Sequence, residues 1–258
     1  MNSKSVVWTS LILQMKQTFA RNMFKYCLFV SPLLSTIILG EIYRNAAQED
    51  FIAFVVLGSG LWNLWGAIAF SSAGDIHRER YSNTLSIIFS APADFRLIWL
   101  GKILGNTILS IGAFFISVIF ALVLYRIPVS VYNRGLLALA FVLTIVSFIV
   151  ISIFVAYLLT LSRRTTLFMN CLEFPFILIC GFAFPVEMLP TPLMYFSYIF
   201  PPTWAVRLLR SSITMGAPDY GHYLLWLLMT VIVFVFASSV LYKIIFRQVK
   251  ILGTLDMA

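Results

Sequence analysis

Four long stretches of this chain carry no charged side chain: Phe51–Gly74, Ile103–Tyr125, Gly135–Ser162 and Tyr220–Tyr242. A fifth, Tyr26–Gly40, is charge-free with near-apolar flanks, and a sixth, Thr165–Phe184, is broken only by Glu173. A bilayer core of about 30 Å needs about 20 apolar residues per helix. In lipid, each backbone N–H and C=O must also find its partner within the helix. The chain is therefore expected to be an all-α membrane protein with six transmembrane helices, at 24–41, 51–73, 98–125, 136–161, 165–184 and 222–246. Hydrophobic residues make up 61% of its 258 positions and charged residues 11%, more apolar surface than a soluble domain of this length can hide. Six spans leave only short loops, so 1–258 reads as a single transmembrane domain with no large soluble catalytic part. The segment before the first span is long and polar-leaning, so no removable signal peptide is expected.

The net charge is +8, but its distribution argues against nucleic acid. With six spans and a cytoplasmic N-terminus, 13 of the 18 Lys and Arg, from Lys4 to Lys250, fall in inner segments. Outer segments hold Arg44, Arg126, Arg134, Arg207 and Arg210. The positive-inside rule then places both termini in the cytoplasm, with basic residues anchoring the chain to membrane lipids. Cys27, Cys171 and Cys180 fall in apolar spans without metal-ligand spacing, and neither His77 nor His222 has a ligand cluster beside it. No metal is expected.

Between the spans, four features stand out. Residues 4–22 place Trp8, Leu11, Ile12, Met15 and Phe19 at helical spacing, which predicts a helix lying in the cytoplasmic interface. The inner region 75–96 is the most charged part of the chain. There Ser82 or Asn83 is expected to cap a short helix through Phe89, with Leu85, Ile88 and Phe89 along one edge and Pro92 after it. Residues 185–204 hold Pro185, Pro190, Pro192, Pro201 and Pro202, too many for one straight span, and read as two short outer helices forming a re-entrant element. The Pro-rich element is followed by Arg207 and Arg210, expected as interfacial anchors.

Within the spans, Trp62 and Trp65 lie among Gly58, Gly60 and Gly66 and are candidates for core packing or a substrate-facing stripe. Asn63 and Asn106 are candidates for hydrogen bonds between helices. Glu173 is a lone intramembrane carboxylate. Its nearest candidate partners are Arg163, Arg164 and Asn170, and the readings are substrate contact, subunit-interface link or structural hydrogen bond.

The order of these parts resembles the permease (transmembrane) subunit of type-2 ATP-binding-cassette exporters over nearly the whole chain. Two motifs carry the likeness. One is Arg78-Glu79-Arg80-Tyr81-Ser82-Asn83-Thr84-Leu85, closed by Ser90-Ala91-Pro92; it is similar to the family's Glu-Arg cluster followed by Gly-Thr-Leu-Glu, with Asn83 and Ser86 in place of Gly and Glu. The other is Gly181-Phe-Ala-Phe-Pro185-Val-Glu187-Met-Leu-Pro190, running on to Phe200-Pro201-Pro202-Thr-Trp204. The resemblance implies a coupling helix at about Glu79–Phe89 that docks on a separate cytoplasmic ATPase, with Arg78, Glu79, Arg80, Thr84, Leu85, Ile88 and Phe89 as coupling residues. It implies a second permease chain, identical or homologous, with a path between the two. The chain has no Gly-x4-Gly-Lys-Ser/Thr loop to cradle phosphates, so ATP and Mg are expected on the partner and no cofactor here.

The resulting expectation is export of an amphiphile, such as a drug, peptide antibiotic or lipid-linked compound, across a bacterial cytoplasmic membrane. A polysaccharide or lipid-linked glycan exporter is the alternative within transport. An intramembrane enzyme would need paired catalytic groups inside the spans, and a non-transporting scaffold or sensor would need no ATPase.

Overall fold

The computed structural model describes residues 3–82, 84, 87–88, 93–126, 133–161, 174–213 and 219–252. Among the described residues there is no strand. The long helices are α1 (Ser3–Ala20), α2 (Asn22–Ile42), α4 (Leu57–Tyr81), α5 (Phe95–Tyr125), α6 (Arg134–Leu161) and α9 (Tyr220–Leu252). A short α3 (Gln48–Phe51) and a π-helical turn (Ile52–Val56) lead into α4. Among the described residues, five helical stretches are long and apolar enough to cross a membrane: Asn22–Ile42, Gln48–Ile68, Phe95–Tyr125, Arg134–Leu159 and Tyr220–Ile245. The predicted sixth, 165–184, is described only from 174 onward. Its visible part is helical over 174–179 and stops at Gly181, whose φ of +74° suits a residue without Cβ.

The helix ends follow local chemistry. The Asp94 side chain accepts from the Arg96 N–H at 3.0 Å and starts α5 before the expected boundary at 98. Asn133 caps α6 by accepting from the Gly135 and Leu136 amides. The prolines of the predicted re-entrant element begin helices instead of breaking them. Pro192 lies in the first turn of α7 (Thr191–Ser197), and Pro201 and Pro202 open α8 (Pro201–Ser211), where a missing N–H costs nothing.

α8 is sunk into the bundle, with Trp204, Ala205, Val206, Leu208 and Leu209 buried against α6 and α9. Trp65 stacks on Phe176 at 4.8 Å and meets Phe148 and Phe182 edge-on, contacts worth about 0.5–1.5 kcal/mol each. Outside this core, α2 and α9 present Phe29, Ile37, Ile38, Ile232, Val233 and Phe236 outward, as lipid-facing helices do.

α1 is helical over Ser3–Ala20, where the periodicity predicts a helix. Its apolar stripe does not define the buried face: Trp8, Ile12 and Phe19 are exposed, while Val6, Leu11, Gln14 and Thr18 are buried against α5. The reason is close approach. A Cβ on Gly101 would stand 2.6 Å from the Val7 carbonyl oxygen, and one on Gly105 2.8 Å from that of Leu11. Two glycines four apart let the backbones touch, as small-residue pairs do in membranes.

Candidate functional site: a polar hub where α1, α4 and α5 meet

The contact of α1 with α5 brings α1's polar residues against the end of α4. Gln14 Nε2 donates to Asp75 Oδ2, to Asn106 Oδ1 at 3.1 Å and to Thr18 Oγ1 at 2.9 Å. Asn106 Nδ2 donates to Asp75 Oδ2 at 2.9 Å, and Thr18 Oγ1 donates to Asn106 Oδ1 at 2.9 Å. Arg21 and Arg78 both donate to Asp75 Oδ1, Arg21 at 3.3 Å. Asp75 is 3% exposed, Asn106 0% and Gln14 1%. Burying a carboxylate so deeply is tolerable only with its lone pairs filled, and this one takes four donors from three helices and the α1–α2 joint.

One turn further on, the Glu79 carboxylate pairs with Lys102 of α5 and accepts from the Thr84 hydroxyl. The Thr84 amide donates to the Glu79 carbonyl at 2.9 Å, and Ile88 N–H donates to the Thr84 carbonyl at 3.0 Å, so a new helical turn starts against the end of α4. Burial works to raise the Glu79 pKa, but the Lys102 and Thr84 hydrogen bonds and the Lys102 and Arg78 charges outweigh it and hold the carboxyl below its ordinary value. Arg78 is pushed down to about 10 by burial, and next by the charge of Arg21.

The structure sorts the sequence candidates. Arg78, Glu79 and Thr84 converge on this hub. Ile88, expected on an outward edge, instead packs inward against the cluster of Phe95 and Trp99; the exposed residues beside it are Tyr81 and Ile87. α4 continues to Tyr81, into the expected inner region 75–96, and there Asp75 and Glu79 have partners on α1 and α5. Leu85, Phe89, Asn170 and Glu173 lie outside the described residues, as do Asn83 and the side chain of Arg80. Trp62 is half-buried beside α2, whereas Trp65 is fully inside the aromatic core. Asn63 does bond across helices: its Nδ2 donates to Ser35 of α2 at 2.7 Å and Ser117 of α5 at 3.0 Å, and its Oδ1 accepts from Ser31 at 2.8 Å.

At the opposite end, Pro185, Glu187, Pro190, Pro201 and Pro202 frame a second braced region. Arg207 pairs with Glu187 and donates to Tyr198 Oη at 3.0 Å. Arg210 donates to the Phe182 carbonyl at 2.9 Å and the Ala53 carbonyl at 3.2 Å, with its guanidinium 4.0 Å from the Phe54 ring centre. Ala53 sits in the π-helical turn, where the usual helical bonding is interrupted. Burial drives the Arg210 pKa down to about 9, only partly offset by Tyr43 and Glu187. Both arginines thus fasten α8 to its neighbours, where interfacial anchoring was expected.

Gln14, Thr18, Arg21, Asp75 and Lys102 were not singled out from sequence. Their signals were a polar stripe at 14, 18 and 21, the glycine pair at 101 and 105, and a carboxylate three residues before an arginine. Each is commonplace until the fold superimposes them. No group of three or more metal-ligating side chains occurs among the described residues. The hub joins three helices through one charge cluster.

A family profile described as "ABC-2 family transporter protein" matches residues 9–240. The chain belongs to this family. It is a multi-pass membrane component of a transporter, and membership implies a partner ATP-binding-cassette ATPase in general. A search of curated proteins gave no significant match.

Proposed function

We propose that the chain is the transmembrane subunit of an ATP-driven exporter. It moves an amphiphilic substrate, such as a drug, peptide antibiotic or lipid-linked compound, out of the cytoplasm or inner leaflet of a bacterial cytoplasmic membrane. ATP and Mg act on the separate ATPase, and a second permease chain, identical or homologous, completes the path. Both termini are cytoplasmic.

The observation that supports this most is the bracing of the segment after α4. A partner that moves on nucleotide binding does work on a membrane domain only through an element that is exposed yet rigidly connected. Tyr81 and Ile87 are exposed there. Glu79, Thr84 and Lys102 tie the same turn to α5, and Asp75 ties it to α1. Force applied at Tyr81–Ile88 thus reaches three helices. Arg78, Glu79 and Thr84 serve as transmitters of that force, with Tyr81 and Ile87 as contacts.

Co-expression with candidate ATP-binding-cassette ATPases of the same organism, followed by purification, tests the reading. A complex that hydrolyses ATP is expected, weakened by Tyr81→Ala with Ile87→Ser. Glu79→Gln should leave assembly intact while lowering transport per ATP hydrolysed. Failure of any phosphate-binding-loop protein to associate would overturn the assignment.

A further inference from the structure

Beside the hub, α2 and α4 part to form a cleft of about 430 Å³. Arg21 and Arg78 close one end, Ser31 and Asn63 lie at the other, and Phe24 and Trp62 are among the apolar walls. The two helices are antiparallel here, since Arg21 and Arg78 meet at Asp75 while Ser31 bonds Asn63. From Arg21 to Ser31 the cleft follows about 15 Å of helix, which is about half of a bilayer's hydrocarbon thickness. Its volume lies in the range of small-molecule sites, roughly 300–1,000 Å³.

The charges at the closed end do not balance. Two guanidinium groups share a single oxygen of Asp75, whose other oxygen is taken by Gln14 and Asn106. The neighbouring Glu79 is matched by Lys102. The described hub therefore carries one positive charge more than it can neutralise internally. That excess faces the cleft, because Arg21 and Arg78 keep 28% and 40% of their side chains exposed while Asp75 keeps 4%.

We propose that this cleft binds an anionic amphiphile, its phosphate or carboxylate head on Arg21 and Arg78 and one acyl chain along Phe24 and Trp62. A planar guanidinium pair suits such a head group, since each presents several donors in a fixed fork. An apolar channel the length of one leaflet suits the chain. The inference goes beyond the transport reading and does not require it, because binding is measured on the purified permease without an ATPase.

The test is native mass spectrometry of the purified chain with dioleoylphosphatidylglycerol and, separately, dioleoylphosphatidylcholine. The acidic lipid should bind at least tenfold more tightly, and Arg21→Gln with Arg78→Gln should abolish that preference. Arg44→Gln, at an exposed arginine far from the cleft, should leave it unchanged, and Trp62→Ala should weaken both lipids alike. Should the double variant fail to fold, Cys27 provides a readout in the wild type, since it is among the residues lining the cleft. Acidic lipid should slow maleimide labelling of Cys27 several-fold, and zwitterionic lipid should not. Equal affinity for the two lipids, or an undiminished preference in the folded double variant, would sink the proposal. With ATPase and ATP added to vesicles, movement of a labelled acidic amphiphile across the bilayer marks the occupant as cargo. Retention marks it as a resident lipid; either result keeps the site.

Discussion

Asp75 shows what a single buried charge does in this protein. Removing its charge while keeping its shape, as in Asp75→Asn, leaves Arg21 and Arg78 without the carboxylate they share. We expect a loss of about 3 kcal/mol, read as a fall in thermal unfolding midpoint in detergent. Arg21→Gln keeps the Arg78–Asp75 pair and should cost about 1 kcal/mol or less, since Arg21 is partly solvated. Glu79 gives a pH prediction. Its carboxyl titrates lower in the folded chain than unfolded, so its contribution is complete above the unfolded pKa, about 4.3. That contribution disappears as pH falls through the lower folded value. The midpoint difference between wild type and Glu79→Gln should therefore be constant near neutrality and shrink below about pH 4. A difference that grew on acidification would contradict the Lys102 and Thr84 contacts as the cause.

Among the elements, α1 and α8 are held by opposite means. Close backbone contact at Gly101 and Gly105 seats α1, with hydrogen bonds added once the helices touch. Gly101→Leu and Gly105→Leu have no room, and each should cost on the order of 1–3 kcal/mol while freeing α1 to proteolysis; Gly112→Leu on the same helix has more space and serves as control. α8 is fastened by long side chains, and its Arg210 reaches two main-chain carbonyls across the bundle. Arg210→Gln should destabilise the region strongly, and Arg210→Lys should rescue only part, since an ammonium does not reproduce the planar fork or its stacking on Phe54. Hydrogen exchange at α8 and the π-helical turn reads this directly.

For the molecule as a whole, the two ends are chemically distinct. One gathers Arg21, Asp75, Arg78, Glu79 and Lys102; the other gathers Glu187, Arg207 and Arg210 with Trp204, Tyr198 and Tyr223. If both termini are cytoplasmic, Tyr81→Cys should resist an impermeant thiol reagent in intact cells and Tyr195→Cys should react, both positions being well exposed. The reverse pattern would invert the topology and with it the proposed docking end.

The charge-free runs by themselves determined a helical membrane protein, because lipid offers backbone groups no other partner and a span's length is fixed by bilayer thickness. Proline positions similarly marked where α7 and α8 begin. Tertiary structure decided which polar residues matter. Gln14, Asp75 and Asn106 are far apart in sequence; Asn106 reads alone as a residue that bonds between helices, but nothing local names Gln14 and Asp75 as its partners. Only the close seating of α1 on α5, and the packing of α4 beside both, brings them onto one carboxylate. The inward turn of Ile88 and the reach of Arg210 were hidden for the same reason. A side chain's role in lipid depends on which neighbouring helix completes its hydrogen bonds, and pairings between distant helices leave no local pattern along the chain.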